Sequence, residues 1–113
     1  MELDITKILL IEGTIEANGL AGYNYQNAAG SGGFIKVHTR DLEGAGQMEV
    51  TGGNAGTYTG GGGGGRMAIY YKNADYWFGT LDARGGTASY GVGGAGTIYL
   101  KVLATLTPNT IIQ

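Results

Sequence analysis

Cysteine is absent from this chain, and proline occurs once among 113 residues. Without cysteine there is no disulfide framework, no thiolate nucleophile and no zinc–thiolate site. A single proline excludes a collagen-like or proline-rich stalk, although glycine fills 24 positions. Charge is sparse too: 7 basic and 9 acidic residues leave a formal net charge of −2, and no two Lys or Arg residues adjoin. So weak a field does not steer nucleic acid, which is not expected as a partner. No run of 18 apolar residues is present, so membrane insertion is not expected. Met1-Glu2-Leu3-Asp4 also lacks the basic start and apolar run of a secretory signal. The missing cysteines suit a reducing cytosol, and equally a bacterial surface protein stabilised by stacking.

What the chain does have is periodicity. Gly13-Thr14-Ile15-Glu16-Ala17-Asn18-Gly19 recurs as Gly46-Gln47-Met48-Glu49-Val50-Thr51-Gly52 and as Gly79-Thr80-Leu81-Asp82-Ala83-Arg84-Gly85, offset by 33 residues each time. A second motif runs out of phase with it. It reads Gly33-Phe34-Ile35-Lys36-Val37-His38, Gly65-Arg66-Met67-Ala68-Ile69-Tyr70 and Gly96-Thr97-Ile98-Tyr99-Leu100-Lys101, at offsets of 32 and 31. Repeats of this length mark stacked arrays, in which no unit buries its apolar face without its neighbours. A disordered glycine-rich chain has no reason to keep Ile15, Met48 and Leu81 in matching slots.

Both motifs alternate with period two, the signal of a β-strand with one buried face. Ile35 and Val37, Met67 and Ile69, and Ile98 and Leu100 are expected to point inward. Between the motifs lie a shorter connection, residues 38–45, 71–78 and 102–108, with room for a further short strand around Leu42 or Trp77, and a longer glycine-rich arm, residues 19–32, 52–64 and 85–95. Tyr25, Tyr58 and Tyr90 occupy matching places in the arms, so stacking in register makes them a ladder with steps of about 4.8 Å.

The expected fold is therefore all-β: a single-domain parallel β-solenoid (β-helix) of about three and a half 33-residue coils with glycine-rich arms. The coils span roughly residues 1–32, 33–64 and 65–95, with a partial coil over 96–113. An antiparallel β-sandwich is the rival, but its hairpin signal appears only at Asn18-Gly19. Asn109-Thr110-Ile111-Ile112 echoes the first motif and Leu3-Asp4-Ile5 the tail of the second, so the chain starts and stops inside the repeat. It reads as a segment of a longer array or a subunit that stacks end to end, because open coil edges invite pairing.

The run of glycines before Arg66-Met67-Ala68-Ile69-Tyr70-Tyr71, followed by Phe78-Gly79-Thr80-Leu81-Asp82-Ala83-Arg84-Gly85-Gly86, resembles the glycine-rich repeats of very large bacterial surface and secreted proteins. The resemblance covers residues 13–100 and implies right-handed parallel β-helix coils with adhesive or structural roles. This chain departs from those proteins in being short.

Four groups of residues carry possible chemistry. Glu16, Glu49 and Asp82 share one outward slot, where stacked carboxylates repel by about 1 kcal/mol per pair in water. Counter-charges from Lys36, Arg66 or Arg84 would relieve them, as would Ca²⁺, and a glycosidase-like acid pair would draw on Glu49 or Asp82. His38 is the sole histidine and occupies an outward slot aligned with Tyr70 and Lys101. Residues 60–65 before Arg66 imitate a phosphate-binding loop, but the Gly-Lys-Ser/Thr ending and a following helix are missing. Tyr76 and Trp77 offer flat faces for sugar stacking; alternatively Trp77 and Phe78 close a corner where other copies carry Leu42 and Leu106.

These features point to a non-enzymatic structural module of an extracellular surface, adhesive or filament-forming protein. Its partners would be copies of itself, or neighbouring repeats of a longer chain, and surface glycans. A carbohydrate-binding module using Tyr76 and Trp77 is the alternative, followed by a polysaccharide-processing β-helix enzyme.

Overall fold

A computed structural model describes residues 1–22 and 28–103. Its seven strands are β1 (Glu2–Leu10), β2 (Thr14–Glu16), β3 (Phe34–Glu43), β4 (Gln47–Glu49), β5 (Arg66–Tyr71), β6 (Thr80–Asp82) and β7 (Thr97–Val102). No helix occurs among the described residues. The odd-numbered strands form one sheet, in the order β1-β3-β5-β7, and β2-β4-β6 form the other. Every pairing is parallel, which excludes the antiparallel sandwich.

The strand register follows the sequence repeat. Ile15 lies opposite Met48, and Met48 opposite Leu81, each at an offset of 33. Ile35 faces Met67 and Met67 faces Ile98, at offsets of 32 and 31. Translation by one repeat thus carries each of these apolar side chains onto another apolar one. Parallel strands bury like residues together when one face is apolar, and a slip by one residue would turn that face to water.

The core lies between the two sheets. Ile35, Val37 and Ile69 are fully buried, with Met67 at 1% exposure, and they pack with Met48 and Val50 from the second sheet side. Ile98 and Leu100 occupy the same inward slots one strand further on, yet are 39% and 50% exposed. Every residue of β7 is exposed, so the apolar interior opens to solvent along that edge of the described residues.

The sequence repeat places a connection at residues 38–45, with room for a separate short strand around Leu42, whereas β3 runs unbroken through Glu43. The cause lies in burial: Thr39 and Leu42 are both inside, at 0% and 2% exposure, so the chain has reason to stay extended. β1 continues alongside it through Leu10 and is a full nine-residue strand, well beyond the expected Leu3-Asp4-Ile5 tail. The register slips between Ile5 and Ile8, where β1 carries one more residue than β3. Such a bulge leaves backbone groups without ladder partners. The buried Thr39 hydroxyl lies 3.2 Å from the Lys7 carbonyl and 3.1 Å from the Asp41 carbonyl two residues on, so it satisfies the break from inside the core.

The glycine-rich arms are hydrogen-bonded to one another. Gly61 and Gly64 donate to Gly91 and Gly94 in the next arm, whereas Gly62 and Gly65 donate back to Gly53 and Val50 earlier in the chain. Each direction recurs every third residue, the period of an extended threefold helix that has no internal hydrogen bonds and must find them in neighbours. A zigzag runs across the array: Gly30 donates to Leu20, Gly53 to Gly30, Gly62 to Gly53, Gly86 to Gly62 and Gly93 to Gly86. Side chains have no room there. A Cβ on Gly62 would collide with the Gly30 carbonyl. Gly44 meets a different demand, a backbone φ of +112° at the end of β3.

Candidate functional site

The acidic row is assembled as the repeat implies, with Glu16 opposite Glu49 and Glu49 opposite Asp82. Its relief is local. The Asn18 amide donates to Glu16 Oε2 at 3.3 Å and to Glu49 Oε2 at 3.1 Å, bridging two repeats. Its carbonyl end accepts from the Thr51 backbone N–H at 2.8 Å. One repeat beyond Thr51, in the slot equivalent to Asn18, stands Arg84. Its Nε donates to both Asp82 oxygens at 3.0 and 2.9 Å, and Nη2 lies 2.8 Å from Oδ2. The side-chain hydrogen bond from Arg84 lowers the Asp82 pKa from the ordinary carboxylate value, against a smaller opposing effect of desolvation. Arg84 is in turn held more firmly protonated by Asp82, with Glu49 contributing at longer range.

Of the three expected counter-charges, Arg84 meets the row. Lys36 sits on the other sheet, 3.9 Å from Glu2, and Arg66 opens β5. The bridging Asn18 lies in a slot that the repeat leaves variable (Asn, Thr, Arg), which is why pattern reading passed over it. Among the described residues no group of three or more His, Asp or Glu side chains stands as a metal ion would require. For the acid-pair reading, Asp82 is a poor proton donor, since Arg84 favours its ionised form.

His38 faces Tyr70 across the strands and Tyr70 faces Lys101. The His38 ring stacks on Tyr70 at 6.3 Å, and its Nδ1 lies 3.6 Å from an Asp4 oxygen. Both partners of that pair are well exposed, an arrangement of surface strand residues.

The aromatic group divides. Trp77 is half-buried and packs against the core, with its ring over Gly79, while Tyr76 and Phe78 are 64% and 75% exposed. Trp77 pairs with Gly44, and the Leu42 N–H donates to the Asn73 carbonyl, so Leu42 is not the counterpart of Trp77. Phe78 closes no corner, and Leu106 lies outside the described residues. Tyr58 and Tyr90 meet edge to face, with ring centroids 5.6 Å apart. Tyr25, the first member expected of that ladder, lies outside the described residues. A shallow apolar hollow lined by Leu81, Ala83, Ala95 and Ile98 opens beside β6 and β7.

Comparison with protein-family models, with curated proteins and with solved structures finds no match for this chain.

Proposed function

We propose that the chain is a non-enzymatic structural module: a parallel β-solenoid segment of an extracellular surface, adhesive or filament-forming protein, stacking end to end through its open edges. In this reading each coil contributes one strand to each sheet and one hydrogen-bonded glycine arm. The observation that carries it is the exposure of β7, whose inward Ile98 and Leu100 stand where Met67 and Ile69 are buried one strand earlier. An apolar parallel edge of this kind is a template for another strand. Stacked backbone hydrogen bonds in sheets and arms would supply stiffness, and the activity would be mechanical and associative.

Electron micrographs and sedimentation across a concentration series test this. Fibres or a rising mean mass are expected, and both should vanish when residues 3–10 are deleted. A chain that stays monomeric at every concentration would remove the proposal. A sugar-binding role finds less support, because Trp77 lies against Gly79 and the core. Glycan-array binding abolished by Trp77→Ala would overturn that judgement.

A further inference from the structure

The two outer strands of the larger sheet are chemically unlike. The outward face of β1 presents acids, Glu2 and Asp4, and each already leans toward a basic group on β3: Glu2 lies 3.9 Å from Lys36, and Asp4 lies 3.6 Å from His38. On the opposite edge β7 presents Tyr99 and Lys101, and Lys101 pairs with no acid among the described residues. The printed registers define slots that run through the whole sheet. Asp4, His38, Tyr70 and Lys101 share one; Leu3, Val37, Ile69 and Leu100 share the inward one beside it; Glu2, Lys36, Ala68 and Tyr99 share a third.

Continuing these slots past β7 makes the edge specific. We propose that β7 of one copy pairs in parallel with β1 of a second copy, in the register that sets Leu100 on Leu3, Lys101 beside Asp4 and Tyr99 beside Glu2. The proposal rests on the end-to-end reading above and adds to it the joint, its polarity and its charge pair. The joint repeats what the sheet already does: an apolar residue covers an apolar residue, and an acid of β1 meets a base. It also discriminates against the alternatives. Pairing β1 with β1 sets acids against acids, and pairing β7 with β7 leaves Lys101 without a carboxylate. Because the two surfaces differ and the joint is translational, it does not close into a dimer but propagates as a filament.

The absence of cysteine gives a clean test on the 113-residue chain. Partners on adjacent strands lie within the Cα separation that a disulfide spans, about 4.4–6.8 Å. Mixing Lys101→Cys with Asp4→Cys, and separately Tyr99→Cys with Glu2→Cys, should yield a disulfide-linked pair on mild oxidation. Lys101→Cys alone, or mixed with Lys7→Cys, should not. Charge reversal gives an independent readout. Lys101→Glu or Asp4→Lys alone should raise the concentration needed for assembly at low salt by up to about five-fold, the ratio expected for an exposed ion pair. A one-to-one mixture of the two should restore it, since every joint then again carries one acid and one base. Filaments that form without these cross-links, or with Lys101→Cys linked to itself, would overturn the joint while leaving the assembling module standing. A chain that remains monomeric throughout would remove both.

Discussion

The Arg84 guanidinium holds both oxygens of Asp82, with Nε at 3.0 and 2.9 Å, and so closes the acidic row at its outer end. Glu49 and Glu16, one and two repeats back, share the Asn18 amide instead. Two different residues in equivalent slots thus answer the same electrostatic problem, one by charge and one by donating N–H groups.

Acid titration should expose the first solution. The folded-state pKa of Asp82 lies below its unfolded value, so its contribution to stability is complete above the ordinary carboxylate range, near pH 4, and is lost as pH falls through the lowered value. Arg84→Gln removes the charged donor. Carboxyl carbon NMR should then show the Asp82 midpoint moving up toward its ordinary value, and the variant should lose less stability between neutral and acid pH. An unmoved midpoint would mean that Arg84 does not set it.

Asn18→Asp should reveal the second solution. The substitution replaces a donor with a third carboxylate, between Glu16 and Glu49. About 1–2 kcal/mol of stability should be lost at neutral pH, from the missing hydrogen bonds and the added repulsion. Urea unfolding at two salt concentrations checks this, because high salt should recover part of the loss. Asn18→Ser, which keeps a donor, should cost less.

Gly62 and Gly60 form a matched pair for the glycine arms. A Cβ on Gly62 meets the Gly30 carbonyl, whereas one on Gly60 meets nothing within 4 Å. Gly62→Ala should therefore cost about 1–3 kcal/mol or more, since fixed backbone has to shift. Gly60→Ala should change stability by no more than about 0.5–1 kcal/mol, in the stabilising direction if the smaller unfolded ensemble dominates. Thermal unfolding distinguishes them. Equal effects would contradict the close packing of the arms.

Met48 and Leu100 measure the difference between the interior and the open edge. Met48 is fully buried and Leu100 half exposed. Met48→Ala should cost about 2–5 kcal/mol, the range for truncating a large core side chain. Leu100→Ala in dilute, unassembled protein should cost about 1 kcal/mol or less, in proportion to the area it buries. A comparable loss at both positions would mean that β7 is covered in solution.

Thr39→Val tests the bulge. The swap keeps the shape but removes the hydroxyl that reaches the Lys7 and Asp41 carbonyls inside the core. About 1–3 kcal/mol should be lost, the cost of leaving a buried acceptor unpaired. Hydrogen exchange of amides in β1 should speed up more than exchange in β5.

The registers of Ile15 with Met48 and Leu81, and of Ile35 with Met67 and Ile98, were legible from spacing alone. An alternating pattern tells a strand which face to bury, and a recurring pattern tells it which strand to lie beside; both are properties of order along the chain. The acid row followed for the same reason. A further short strand around Leu42 was legible too, but not its fusion with the second motif into one continuous β3, because that depends on how deep Thr39 and Leu42 sit once β1 lies alongside. Nor was the bridging of Glu16 and Glu49 by Asn18, the choice of Arg84 over Lys36 and Arg66, or the inward lie of Trp77 over Gly79. Those outcomes turn on distances of a few ångströms between residues well separated or differently placed along the chain, and hydrogen bonds and steric contacts fall off too steeply for a one-dimensional pattern to rank them. Repetition along the chain was enough to lay the strands side by side, whereas packing in three dimensions settled which side chains meet.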